Sequence, residues 1–183
     1  MKKFFQRAVS SISLTVDQTD PSTPTLVLKS TSDKGIADWD KLTKDDTPTF
    51  TLTNLTNTDS IFLKIAADAA TLATDGSIIV RDKATSNTKD LTPASHANGT
   101  YLVSALAKDL AGNWGLDATN TFVRIDTIPP DVPNAPDMLN TDDTGFDNAD
   151  QITFKQQPHF IFTGLSTTID SLRLVIDAGA SVG

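Results

Sequence analysis

The sequence predicts an all-β fold of two-sheet sandwiches in tandem, one complete and one partial. Three features predict it. Alternating and β-branched apolar runs recur along the 183 residues, and no segment has a persuasive helical period. Turn signals at Asp75-Gly76, Asn98-Gly99 and Gly112-Asn113 cut these runs into short strands. One passage is also written twice: Asp33, Gly35, Thr43, Pro48 and Leu55 recur as Asp143, Gly145, Thr153, Pro158 and Leu165, each displaced by 110 residues. A period that long marks a repeated domain rather than a solenoid unit.

The first complete copy reads as seven strands. Thr25 to Lys29 is the first. Thr47 to Asn54 alternates Thr with Phe50 and Leu52, and Ser60 to Ala66 alternates Ile61, Leu63 and Ile65 with Phe62 and Lys64. Ser77 to Arg81 is short and β-branched, and Thr88 to Leu91 is weaker. Gly99 to Lys108 places Tyr101, Val103, Ala105 and Ala107 on one face, and Asn120 to Asp126 alternates Thr121, Val123 and Ile125 with Phe122 and Arg124. Seven short strands in roughly 105 residues is the pattern of a sandwich. The Ala-rich Asp68 to Leu72 is expected to be a loop rather than a turn of helix. Tyr101, early in the penultimate strand, is expected to bond nearby backbone through its hydroxyl.

The second copy has counterparts of the first three strands only, at about residues 137–140, 159–165 and 171–177. Ala8 to Val16 reads as an alternating strand. The expected organisation is residues 1–19 as the end of a preceding repeat, 20–126 as a complete domain, and 127–183 as the first part of the next. Three strands of a sandwich leave open edges. Truncation of a longer chain at both ends accounts for them, the alternative being completion by residues 8–16 of another chain. The linkers match as well. Asp17 with Pro21 and Pro24 is answered by Asp126 with Pro130 and Pro133, and the prolines make both linkers stiff spacers.

Composition limits the function. A net charge of −8 and a pI near 4.5 argue against nucleic acid and anionic membranes, and suit cation binding. Without cysteine there is no disulfide, thiolate site or cysteine nucleophile. No apolar run is long enough to span a bilayer, and Gln6 and Arg7 interrupt the start before a signal-peptide core forms. His96 and His159 have no nucleophile and orienting acid at triad-like spacing, and no phosphate loop is present, so no enzyme is expected.

The repeated acids are the candidate site. Asp33, Asp38 and Asp40 are answered by Asp143, Asn148 and Asp150, with Asp147 added. On a sandwich the loop carrying Asp33, Asp38 and Asp40 lies at the end where the chain leaves, with Asp126. The last hairpin loop, with Asp109, lies where it arrives, with Asp17. Two readings fit: solvated Asx-rich turns, or calcium sites in which a cation relieves repulsion between like charges.

The string Asp109-Leu-Ala-Gly112-Asn113, then Ile125-Asp126-Thr127 with Pro129-Pro130, then Asp143-Thr144-Gly145 with Asp150 and Thr153, resembles the bacterial Ig-like repeats of giant type-I-secreted and biofilm-associated surface adhesins. The resemblance covers residues 9 to 183 and implies Ig-like Greek-key β-sandwiches strung as an extracellular extender on the bacterial surface. It implies structural calcium at domain junctions, with Asp17, Asp33, Asp38, Asp40, Asp109, Asp126, Asp143 and Asp150 as ligands. The partners it implies are neighbouring repeats and, through the full-length protein, a host or surface glycan or protein, with no nucleic acid and no membrane insertion. The first copy departs from the pattern: Lys34 stands where Thr is usual, and Trp39 and Lys41 flank the acids. A rival reading is a carbohydrate- or protein-binding module acting through Trp39, Trp114 or loop residues.

Overall fold

The computed structural model describes residues 12–176, which fall into two compact units divided between Thr127 and Ile128. In the first unit, eight strands form two sheets. β1 (Thr25–Leu28), β3 (Phe50–Thr53) and β6 (Thr88–Leu91) make an antiparallel sheet in the order β1-β3-β6. β2 (Leu42–Thr43), β4 (Ser60–Ala66), β5 (Ile78–Lys83), β7 (Gly99–Lys108) and β8 (Thr121–Ile125) make the other, in the order β2-β8-β7-β4-β5. The chain passes between sheets after β1, β2, β3, β5 and β6, and the long strands cross in the manner of a Greek key.

The alternation read from the sequence is what closes the sandwich. Leu26, Phe50, Leu52 and Leu91 of the smaller sheet meet Ile61, Leu63, Ile65, Val103, Ala105, Val123 and Ile125 of the larger one, all buried in one cluster. Removing each of these side chains from water contributes roughly 1.5–3 kcal/mol for the larger ones. Tyr101 packs against this cluster, and its hydroxyl donates to the Ala97 carbonyl at 2.9 Å.

Several elements differ from expectation. Asp68 to Leu72 is not a loop: Ala69–Leu72 forms a short helix, α1. Asp68 caps it by accepting the Thr71 N–H, and Leu72 is buried beneath it. That burial changes β4. Phe62, Lys64 and Ala66 on its outer face are sealed like the core face, because Trp114 stacks on Phe62 at 4.9 Å and α1 packs on β4 and β7. β3 starts later than expected, since Pro48 has no N–H to give a ladder. β2 was not foreseen. Its two residues pair parallel with the end of β8, Leu42 with Arg124 and Thr43 with Ile125.

Residues 12–16 do not form the expected strand. Ile12, Leu14 and Val16 are exposed, with no ladder partner among the described residues; residues 8–11 lie outside those described. In the second unit, β9 (Asp137–Met138) and β10 (Phe160–Ile161) pair antiparallel, Met138 with Phe160. This repeats the Leu28–Phe50 pairing of β1 and β3, displaced by 110 at both positions. Residues 171–176 form no strand, and residue 177 lies outside the described range. In the first unit the equivalent β4 is held between β5 and β7, and the described residues of the second unit offer no such neighbours.

Candidate metal centre

The loop after β1 is built from backbone upward. The N–H groups of Ser32 and Asp33 both donate to the Lys29 carbonyl, turning the chain out of the sheet. Lys41 adopts a left-handed φ of 61°, which brings its N–H onto Asp33 Oδ2 at 3.2 Å. The next N–H, of Leu42, donates to Asp40 Oδ1 at 2.9 Å. The loop is thus closed over its own acids, and β2 follows directly.

The second unit builds the same loop from different residues. Asp142 and Asp143 donate to the Leu139 carbonyl, Gln151 has φ 59° and donates to Asp143 Oδ2 at 3.0 Å, and Ile152 donates to Asp150 Oδ1 at 3.0 Å. Every one of these positions is displaced by 110. The turn therefore does not depend on Trp39, Lys34 or Lys41 as side chains. It depends on the acids and the backbone.

The glycine of each loop is set by close approach. A Cβ on Gly35 would stand 2.5 Å from the Leu42 carbonyl oxygen and 3.1 Å from Asp40 Oδ1. A Cβ on Gly145 would meet both Asp150 oxygens, at 2.6 and 2.8 Å. Only glycine lets the later acid fold back over the start of its loop.

One carboxylate oxygen in each loop is left over. Asp33 and Asp143 are more than nine-tenths buried, and Oδ1 of each is sealed from solvent with no hydrogen-bond partner. Among the described residues these are the only such side-chain atoms, and they occupy equivalent positions. Burial raises the Asp33 carboxyl above its ordinary value. The Lys41 N–H works against this, and the charges of Asp40 and Asp38 add to it. A hollow of about 160 Å³ lies against Asp33, Asp38, Trp39 and Lys41. An orphaned anionic oxygen facing like charges beside an open space is a setting that a hard cation relieves. As they stand, the described side chains hold no three carboxylate or imidazole groups close enough to form a metal shell. The donor set suits calcium, which takes 6–8 oxygens and accepts carbonyls and water beside carboxylates.

The parallel pairing of β2 with β8 carries Asp126 to this end of the unit. Its N–H donates to the Thr43 carbonyl at 2.8 Å, and the Thr43 hydroxyl donates to the Ser32 carbonyl, next to Asp33. The Asp126 carboxylate lies 3.9 Å from the Arg124 guanidinium.

At the opposite end Asn113 joins the expected pair. Its side-chain amide donates to Asp109 Oδ2 at 2.9 Å and to the Asp17 backbone carbonyl at 3.1 Å. The Asp17 carboxylate is turned to its own linker, accepting from the Thr19 N–H. Asp109 organises its own turn: Oδ1 accepts from Gly112 and Asn113 N–H. Burial of Asp109 opposes ionisation, but the bonds from the Asn113 side chain and the backbone of Asn113, Gly112 and Ala111 outweigh it and hold its carboxyl below the ordinary value. Asp17 and Asp109 thus meet through an amide and a backbone carbonyl.

The sequence reading missed the residue before each buried aspartate. Ser32 Oγ accepts the Thr49 N–H at 3.0 Å. In the second unit Asp142 takes this place, accepting the His159 N–H at 2.7 Å and bonding the His159 ring and the Lys155 ammonium. Lys155, then the His159 backbone and ring, hold the Asp142 carboxyl well below its ordinary range. The signal was the paired change between copies, Ser32 with Thr49 against Asp142 with His159. His159 is accounted for by its backbone and ring bonds to Asp142. His96 bonds the Ala94 carbonyl and meets Tyr101 edge-on.

The family model for the bacterial Ig-like domain matches residues 19–127. Among solved structures the chain is similar to the PKD domain of an M14-like peptidase from Thermoplasmatales archaeon SCGC AB-540-F20. The identity is 17% over 58% of this chain and 96% of that one, with a TM-score of 0.36. No curated protein matches.

Proposed function

The chain belongs to the bacterial Ig-like domain family, and from that premise we propose that it is a structural extender segment of a bacterial cell-surface adhesin, stiffened by calcium beside its linkers. Its fold is an all-β Ig-like sandwich. The observation that carries the proposal is the pair of buried, partnerless oxygens, Asp33 Oδ1 and Asp143 Oδ1, at the same place in two repeats. A cation drawn to Asp33 would be shared with Asp38 and Asp40, and the Thr43 backbone already ties this loop to Asp126. Binding would tie the loop to the strand that leads into the linker. The role is mechanical and non-catalytic, with neighbouring repeats as the immediate partners and the bacterial exterior as the location. Calcium at 100 times its dissociation constant adds about 2.7 kcal/mol to stability at one site. Thermal melting with millimolar calcium and with chelator tests this: melting should rise with calcium and fall with chelator. Equal melting in both would sink the calcium reading.

The reading as a glycan- or protein-binding module draws support from Trp39, which is 77% exposed. Trp114 supports it less, because Phe62 and the Lys108 ammonium both engage its ring. Selective binding on a glycan array, abolished by Trp39→Ala, would favour the module over the extender.

A further inference from the structure

We propose that the two loops are calcium sites of unequal affinity, with the Asp143–Gln151 loop filled first and the Asp33–Lys41 loop only at higher calcium. This rests on the calcium reading above and goes beyond it, because it ranks the sites.

The backbone turn and the bonds to the first and last acid are the same in the two loops, so the difference between them lies in the other side chains. Residues 33–41 carry Asp33, Asp38 and Asp40 against Lys34 and Lys41, a net charge of −1. Residues 143–151 carry Asp143, Asp147 and Asp150 with Asn148 and no lysine, a net charge of −3. The basic groups near the second loop are engaged elsewhere: Lys155 and His159 bond Asp142, where the first loop has the neutral Ser32. The Lys41 ammonium is held 4.8 Å above the Phe122 ring. That contact restricts where the Lys41 charge can go.

Fixed charges within a Debye length, about 8 Å at physiological salt, act directly on an incoming divalent ion. Two lysines within the nine-residue loop segment, acting on a doubly charged ion, weaken binding by about tenfold after screening. Each loop carries three carboxylates, because Asp147 in place of Ala37 is offset by Asn148 in place of Asp38, so the two lysines make the whole charge difference. The ranking has a consequence for function. Across a range of calcium concentration, one repeat would be locked while its neighbour is still loose, so stiffening would be graded rather than all-or-none.

Calorimetric titration of the metal-free full chain with calcium tests the ranking, supported by terbium luminescence. Two phases separated by about tenfold are expected. Asp143→Asn should remove the tighter phase and Asp33→Asn the weaker. Terbium emission sensitised by Trp39, and lost in Trp39→Phe, should grow only in the weaker phase, because the second loop contains no tryptophan. The double variant Lys34→Thr with Lys41→Gln puts the second loop's own residues into the first, at a position where both copies share φ near 60°. It should bring the weaker phase close to the tighter one. A single affinity, loss of the tighter phase in Asp33→Asn, or no change in the double variant would overturn the ranking. Absence of calcium heat and of terbium emission at both loops would overturn the calcium reading itself.

Discussion

Asp150 lies over Gly145 so closely that a methyl group on the glycine would overlap both carboxylate oxygens, while a methyl group on Gly35 would collide with the Leu42 carbonyl and crowd Asp40 Oδ1 at 3.1 Å. The glycine and the acid are therefore one device, repeated in both units. Asp40 reaches Gly35 because the Leu42 N–H fixes its carboxylate, and Ile152 fixes Asp150 identically.

Gly35→Ala should consequently act on the loop and not on the sandwich core. The new Cβ would collide with the Leu42 carbonyl, which is backbone and must shift with β2. A cost of about 1–3 kcal/mol is expected from forced displacement of this kind. Denaturant unfolding should show it, with an unchanged slope because the core stays closed. Calcium binding by this loop should weaken in parallel. A variant with the wild-type midpoint would mean that the close approach is not required.

Asp33 gives a pH test whose sign is fixed by its environment. Its carboxyl is raised in the folded protein by burial first, and by Asp40 and Asp38, above the ordinary aspartate value of 3.8. Above the raised value the folded state holds a charge it disfavours, so metal-free Asp33 subtracts from stability at pH 7. As pH falls through the raised value and below 3.8, the folded state takes up the proton more readily than the unfolded chain, and the penalty disappears. Asp33→Asn should therefore be more stable than wild type at pH 7 in chelator, with the advantage vanishing below about pH 3.8. In saturating calcium the order should reverse, since only the wild type gains the ion. Thermal melts of both proteins across pH, with and without calcium, check both signs.

Tyr101→Phe removes one hydroxyl and nothing else. The Tyr101 hydroxyl donates to Ala97, four residues earlier, and so ties the start of β7 to the loop before it. A loss of about 0.5–1.5 kcal/mol is expected, the ordinary net worth of such a bond. A loss near zero would show that water replaces the hydroxyl without cost.

The strands were legible where one face meets the core and the other meets water. β7 is an example: Tyr101, Val103 and Ala105 point inward, and Gly99–Lys108 has the expected ends. β4 was legible as a strand but not as a doubly buried one. What covers its outer face comes from Trp114, far along the sequence, and from an α1 too short to have a period. β2 was invisible because two residues carry no alternation, and its parallel pairing with β8 is purely tertiary. In the candidate site the repeat pointed to Asp33, Asp40, Asp143 and Asp150, and the fold sets Asp40 and Asp150 over the glycines of their own loops. It did not show that Oδ1 of Asp33 and Asp143 would be sealed, which follows from how the Lys41 and Gln151 backbone closes each loop. Nor did the spacing reveal that Asn113, an amide, links Asp109 to the Asp17 carbonyl.

The Lys64–Asp117 ion pair gives a final test of what the outer face of β4 contributes. Lys64 sits mid-strand with its side chain almost sealed, and its ammonium lies 3.1 Å from Asp117, which is half exposed. Burying a charge is costly, and a single half-exposed carboxylate offsets only part of that cost. Removing the carboxylate leaves the cost unrelieved. Asp117→Ala should lose about 1–2 kcal/mol, less than for a fully buried pair because water reaches one side. Lys64→Met removes the charge but keeps a side chain of similar length in the same sealed place, and should stay within about 1 kcal/mol of wild type. In the Lys64→Met background Asp117→Ala should then cost almost nothing, because no buried ammonium remains to be stranded. Denaturant midpoints of the four proteins complete the cycle. If Asp117→Ala is neutral while Lys64→Met is strongly destabilising, the lysine is held by packing alone and the carboxylate is incidental.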